Sequence, residues 1–460
     1  MLFSSFSFLF WFLPATLLCY ALPALFLRQE RALPWQNGVL LIASLLFYAW
    51  GEPRYLILML LTVACNTLIA ARLERSRKPR LLLALAIALD IGLLLLFKYP
   101  PLFGLPAPHL PLGISFYTFQ AISYVADVYR GEVKPAKSPI TVALYVAFFP
   151  QLIAGPILRY TDVNEALQSR RHTLHGCAAG VRRFLCGLAK KLLLANPTGA
   201  LFAAGLAQGI ESAAGAWLVL LCFFFQLYFD FSGYSDMAIG LGAIFGFRFP
   251  ENFNYPYTAT SVTDFWRRWH ITLSAFFREY VYFPLGGSRR GSARTVLNLL
   301  VVWALTGLWH GASLNFLLWG LYYFLLLVLE KRFLHRLPFR APRALSRALT
   351  TLSTLGGWLL FAFDGSVPAL ELRHLPSFLQ ALFFARGLTL GADLYDLVRA
   401  LPLLLLCAVG ATPWPRRLLA RLTVRKKRYL LRTALPLLAL VLCVASLSDA
   451  GYNPFLYFRF

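Results

Sequence analysis

Acidic residues are scarce in this chain: 20 Asp and Glu stand against 44 Lys and Arg in 460 residues, and charged residues together make up only 14%. So little charge cannot solvate the two or three water-soluble domains that this length would otherwise suggest. The seven cysteines, at 19, 65, 177, 186, 222, 407 and 443, are odd in number, never spaced C-x-x-C and set mostly in apolar runs. That excludes a disulfide framework or a dithiol or zinc motif and leaves them as packing residues in helices. Neither G-x-G-x-x-G, a P-loop nor G-x-S-x-G occurs with suitable flanks. Nucleotide binding through those motifs and a soluble-type serine hydrolase are therefore unsupported.

Apolar residue types make up 59% of the chain and the mean hydropathy is +0.63. A helical crossing needs about 20 mostly apolar residues, and stretches such as 6–27, 81–97, 213–231, 295–330 and 433–448 supply them in succession. Leu and Phe fall on every face of these runs, without the short alternating segments of a membrane barrel. The fold class is an all-α polytopic membrane protein. We expect one integral membrane domain over 1–460, with N-terminal helices in 1–137, a catalytic core in 138–330 and C-terminal helices in 331–460. The first apolar run has neither a basic n-region nor a small-residue cleavage site, so it reads as a first crossing and not a cleaved signal.

Basic residues in short loops stay on the cytoplasmic side. Nineteen of the 44 fall in RLERSRKPR (72–80), KRFLHRLPFRAPRALSR (331–347) and RRLLARLTVRKKRYLLR (416–432). A single-leaflet bias thus accounts for the net charge of +24, with membrane lipids of anionic headgroup as its counterpart and not nucleic acid. With 72–80 inside, the N-terminus lies outside, 98–110 is a Pro-rich outer loop and 112–129 descends to Arg130, Lys134 and Lys137. Later, 295–311 rises from Arg289, Arg290 and Arg294 and 313–330 falls back to Lys331 and Arg332, a hairpin with Trp309, His310 and Gly311 at its outer apex. About 16 helical residues climb roughly 24 Å, which carries His310 past the bilayer centre. Passes over 349–365, 399–414 and 433–448 complete the chain. Pro and Gly interrupt 138–285 repeatedly, and irregular backbone at membrane depth survives only inside protein or beside a wet cavity.

Seven histidines divide by surroundings. His109, His335 and His374 read as solvated. His172 and His175 have chelating i, i+3 spacing but follow Arg170 and Arg171 and have no carboxylate motif beside them, so no metal site is expected. His310, in LTGLWHGASLNF, is an ionisable group in apolar sequence, which inside a membrane is a functional hypothesis by default. Its imidazole exchanges protons near neutral pH, so a general base is the natural role. The alternative is a hydrogen bond between helices through Ser313 or Asn315.

His270 closes FWRRWH in a stretch too polar for a span. Trp266, Arg267, Arg268 and Trp269 read as an interfacial amphipathic segment with aromatic anchors, Asp264 pairing with one of the two arginines. His270 itself would line a donor or acceptor passage. Asp230 and Asp236 bracket FSGYS and either line a polar cavity or neutralise Arg248, Arg267 or Arg268. Asp90, inside ALAIALDIGL, has no partner in sequence.

Five blocks, PLGISFYTFQAISYVADVYRGE (111–132), FFPQLIAGPILRY (148–160), FDFSGYSDMAIGLGAIFGFRFPENFNYPY (229–257), FWRRWHITLSAFFREYVYFPLGG (265–287) and GLWHGASLNFLLWGL (307–321), resemble the membrane-bound O-acyltransferases. The resemblance is ordered, covers residues 36–330 and lies nearest the branch that holds the alginate O-acetyltransferase membrane subunit; the ending NPFLYFRF is similar to that branch as well. It implies roughly 11–14 membrane-crossing or re-entrant helices around a central channel. It also implies an acyl group, normally acetyl, moved from cytoplasmic acetyl-CoA across the bacterial inner membrane to an extracytoplasmic polysaccharide, directly or through a periplasmic acetyltransferase-like partner. No bound cofactor is implied, acetyl-CoA being a substrate. The family's essential histidine falls on His310 and its second histidine on His270. Trp309, Asp230, Ser232, Tyr234, Asp236, Asn252 and Trp266 to Trp269 are candidates for the channel or its support, and Arg289, Arg290 and Arg294 for the phosphates of CoA. Two positions depart from the pattern: Asn196, where an acid is expected, and Asp90, where an amide is more usual. A lipid or cell-wall polymer acyltransferase and, from another class, a secondary transporter are the alternatives.

Overall fold

The structure is a computed structural model that describes all residues except 28, 107, 211, 334–340, 384–390, 423–427, 450–452, 455 and 457–460. Arg28, His335 and most of NPFLYFRF therefore lie outside the described residues. Those described form helices and no strands, as hydrocarbon demands of backbone that must satisfy its own hydrogen bonds. Among the described residues six helices are long and apolar enough to cross a membrane: Arg31–Gly51, Pro53–Leu73, Pro79–Lys98, Ala213–Ile244, Ser292–His310 and Leu314–Arg332. Leu394–Gly410 and Trp414–Arg421 make a seventh if their 69° bend is one broken span, and Ser7–Ala21 and Thr433–Ser448 are shorter apolar helices. Pro53 and Pro79 open their helices, at the position where a missing N–H leaves no bond unmade.

The chain's contacts divide it into two units, Met1–Leu188 with Tyr234–Glu251, and Ala189–Gly233 with Asn252–Leu456. In the first, the helix Ile114–Tyr129 is buried along all but its last residue, Ser115, Thr118, Gln120, Ser123 and Asp127 included. The sequence read this segment as a simple crossing; its polar side chains instead face protein all round, which fits a core helix. Asp90 has a partner after all: Asn66 Nδ2 donates to Asp90 Oδ1 at 2.9 Å from the neighbouring helix. Gly180 and Gly240 allow two helices to meet, since a Cβ on either would lie 2.6 Å from the other's carbonyl oxygen.

Arg170 donates to Asn37 Oδ1 (2.6 Å) and to the Tyr20 hydroxyl (3.0 Å), which also lies 3.1 Å from His172 Nε2. His172 is thus engaged with a tyrosine and not with His175. Burial, and then the Arg170 charge, lower its proton affinity below the ordinary histidine value.

Candidate functional site

In the second unit, glycines close the hairpin that the charge pattern outlined. A Cβ at Gly307 would fall on the Phe316 carbonyl oxygen, and one at Gly320 on the Trp303 carbonyl oxygen, so the helices Ser292–His310 and Leu314–Arg332 pack backbone to backbone. His310 is the last residue of the first helix and only 4% exposed. Its ring lies 4.9 Å from Trp309 and meets Trp319 (5.0 Å, 85°) and Phe361 (5.2 Å, 82°) edge to face. The Asn315 amide donates to the carbonyl oxygens of Leu360 (3.2 Å) and Phe361 (3.3 Å), and so ties Phe361 to the hairpin apex. The result is an imidazole in an aromatic box, shielded from bulk water at the end of a spanning helix.

His270 is 1% exposed and stands at the N-terminus of the short helix Ile271–Phe277 with φ 43° and ψ 54°, a left-handed conformation that a residue with a Cβ adopts only under constraint. The constraint is Asn252: its backbone oxygen accepts from the Ile271 N–H (3.0 Å), and its side-chain oxygen lies 3.1 Å from His270 Nδ1. The imidazole meets Phe231 edge to face at 4.7 Å and lies 6.2 Å from Trp309. Trp309 therefore touches both histidines. Burial pushes the proton affinity of His270, which lies outside the spanning helices, down to about 3, so its resting imidazole is neutral.

Other candidates fall elsewhere. Trp266 and Trp269 are 8% and 4% exposed, inside a cluster in which Trp266 meets Trp303 (4.7 Å) and Tyr323 (4.8 Å) and Trp269 meets Trp358 (4.6 Å). They are core residues and not interfacial anchors, because the short helix Val262–Trp266 and the turn after it fold inward. Arg268 pairs with Asp264 at 2.8 Å, as its spacing predicted, and Arg267 is exposed. Asp230 is paired with Lys191 at 2.7 Å, both side chains 3% exposed, and not with any of the three arginines considered. Asp236 in the first unit likewise pairs with Arg183 (2.7 Å), which also holds Glu251 (2.5 Å). Ser232 is buried, and Tyr234 stacks on Phe3 at 4.6 Å.

Arg289 and Arg290 are exposed and Arg294 half-buried at the far end of the 19-residue helix that ends in His310, a length of about 28 Å. Any phosphate they meet is one helix length from that imidazole. His109 lies 3.7 Å from Glu52, and His374 Nδ1 donates to the Pro368 carbonyl oxygen at 2.9 Å. Among the described residues no group of three His, Cys, Asp or Glu could hold a metal ion.

Sequence reasoning missed Lys191, Glu330 and the box formed by Trp319 and Phe361. Glu330 caps the helix Val262–Trp266, accepting from the N–H groups of Val262 (2.8 Å) and Thr263 (3.2 Å). A buried acid near the end of an apolar helix was the available signal for Glu330, but its partners lie nearly 70 residues away.

The profile of the membrane-bound O-acyltransferase family matches residues 136–363, which includes both histidines. A Pseudomonas aeruginosa protein named probable alginate O-acetylase AlgI is 41% identical over 382 residues, covering 78% of this chain and 72% of its own length. The chain belongs to the membrane-bound O-acyltransferase family. Two further relatives of this O-acyltransferase are the peptidoglycan O-acetyltransferase of Helicobacter pylori and the teichoic acid D-alanyltransferase of Bacillus subtilis. The first is 34% identical over 81% of this chain and 79% of its own length, the second 27% identical over 70% and 86%. Membership accounts for the multi-pass helical architecture and sets aside the transporter alternative.

Proposed function

We propose that this O-acyltransferase moves an acetyl group from a cytoplasmic thioester, acetyl-CoA or a chemical equivalent, across the bacterial inner membrane to hydroxyls of an extracytoplasmic polysaccharide such as alginate. Delivery is direct or through a periplasmic acetyltransferase-like partner. The names of the relatives support a polymer acceptor, alginate and peptidoglycan for acetyl and teichoic acid for D-alanyl. The observation that carries the chemistry is His310, a buried imidazole in an aromatic box at the apex of a spanning hairpin. His310 accepts the proton of the attacking hydroxyl as its oxygen bonds to the acyl carbon. The carbon–sulfur bond then breaks, and the imidazolium returns its proton to the departing sulfur, which leaves as the thiol. General base catalysis of this kind is worth about 10²–10⁴-fold, and exclusion of water from the box suppresses hydrolysis of the thioester.

His310→Ala tests this. The variant should reach the membrane at wild-type abundance, since the truncation is one side chain at a helix end, while polymer acetylation in cells falls at least about 100-fold. Acetylation close to wild type in that variant would remove His310 from the chemistry and the reading with it.

A further inference from the structure

We propose that Asn252 is the positioning residue that sets which nitrogen of His270 faces the reaction: its side-chain carbonyl holds the Nδ1–H, and Nε2 is the nitrogen left to accept a proton or a hydrogen bond. The inference rests on the acyl transfer proposed above and deepens it. The Asn252 side chain is fully buried and its Oδ1 has three neighbours: the Thr272 hydroxyl at 2.9 Å, the Thr272 backbone nitrogen at 3.3 Å and His270 Nδ1 at 3.1 Å. A backbone N–H can only donate, so the Asn252 atom facing Thr272 is the carbonyl oxygen and not the amide nitrogen. Facing an acceptor, His270 Nδ1 must carry the hydrogen, and in a neutral imidazole Nε2 then holds the lone pair.

The backbone reinforces this. The Ile271 N–H donates to the Asn252 carbonyl oxygen (3.0 Å), and the Asn254 N–H to the Arg268 carbonyl oxygen (2.9 Å), so 252–254 runs as a clasp along 268–272. That clasp over-determines the left-handed turn at His270 and turns its ring between Phe231 and Trp309. An imidazole oriented through one nitrogen by a buried oxygen, with the other nitrogen presented, is the arrangement that proton-transfer sites use; here an amide stands where a carboxylate often does. Among the described residues, the ionisable groups beside those that touch His270 are His310, next to Trp309, and the Asp230–Lys191 pair, next to Phe231, while Arg268 on its own turn is paired with Asp264 and Arg267 is exposed.

The competing role is that Asn252 only caps the helix Ile271–Phe277 through Thr272, and two measurements separate the roles. In the full chain reconstituted in lipid with ¹⁵N-labelled histidine, solid-state NMR reads the tautomer without any substrate, His270→Gln identifying the signal. The expected result is a protonated Nδ1 and a bare Nε2, with that preference lost in Asn252→Leu. A wild-type His270 carrying its proton on Nε2 overturns the proposal.

The second measurement follows thiol release from acetyl-CoA with an alginate oligosaccharide as acceptor. Asn252→Leu should lower kcat by about 10²–10⁴-fold with KM within about twofold, because the loss falls on the transition state. Asn252→Asp keeps an acceptor for Thr272 and rescues turnover. Its carboxylate favours the imidazolium, so His270 sheds its proton only at higher pH, and the pH profile of its ¹⁵N signal moves up by about one unit or more. A kcat for Asn252→Leu within about threefold of wild type, or an Asn252→Asp profile that overlies the wild type, would reduce Asn252 to a cap. If His310→Ala still transfers acetyl, the acyl-transfer reading fails while the tautomer result stands on its own.

Discussion

Removing one side of the ion pair between Lys191 and Asp230 should destabilise the protein more than any exposed pair would. Nζ and Oδ1 are 2.7 Å apart and both side chains are 3% exposed, so neither charge has water to turn to. Two further bonds reach backbone: Asp230 Oδ2 accepts from the Leu456 N–H at 2.9 Å, and Lys191 donates to the Pro454 carbonyl oxygen. Asp230→Asn keeps an acceptor for Leu456 but takes the carboxylate from a buried lysine, a loss of about 3–5 kcal/mol. Lys191→Met added to it removes the lysine charge and should bring stability back to within about 1–2 kcal/mol of wild type, a coupling of at least about 2 kcal/mol between neighbouring sites. Equilibrium unfolding in mixed detergent micelles, followed by tryptophan fluorescence, measures the four corners of this cycle. An Asp230→Asn protein within about 0.5 kcal/mol of wild type, or a double variant as unstable as the sum of the singles, would refute the reasoning. Acyl transfer by the double variant should track its folded fraction, because the pair is given structural work only.

Gly320→Val places a branched side chain on the Trp303 carbonyl oxygen and should cost about 1–3 kcal/mol; activity should fall further, about 100-fold, since an ångström of misplacement at the apex misaligns His310. Acyl transfer that falls no more than the folded fraction would show that the hairpin spacing does not position the histidine. Arg289→Gln with Arg290→Gln should raise the donor KM more than it lowers kcat, because phosphate contacts are alike in ground and transition states. Labelling of introduced cysteines at 75 and 345 from the cytoplasmic side alone, and at 105 from outside, checks that orientation is kept; an unchanged donor KM in a correctly oriented protein would leave the two arginines as topological anchors.

Much of the architecture was legible without coordinates because hydrocarbon imposes a one-dimensional rule. A run such as PRLLLALAIALDIGLLLLFK has to be a helix wherever it packs. The hairpin with His310 at its end could be counted residue by residue, and Asp264 and Arg268 meet because a helical turn puts i and i+4 together. A local rule of that kind also marked His310 as out of place among apolar neighbours, whereas His270 stood in a polar, aromatic stretch and was singled out by the family resemblance. What sequence spacing could not give was any choice made across many residues. Asp230 takes Lys191 and not a nearby arginine, and Asp236 takes Arg183, because desolvated charges pair with whichever opposite charge the packing brings within reach. Trp266 and Trp269, which composition alone assigns to a membrane interface, are drawn inward because Trp303, Tyr323 and Trp358 from distant helices offer them aromatic faces to pack on. The orientation of His270 likewise depends on Asn252, 18 residues earlier on another turn, whose oxygen reaches that ring only once the chain has folded back on itself.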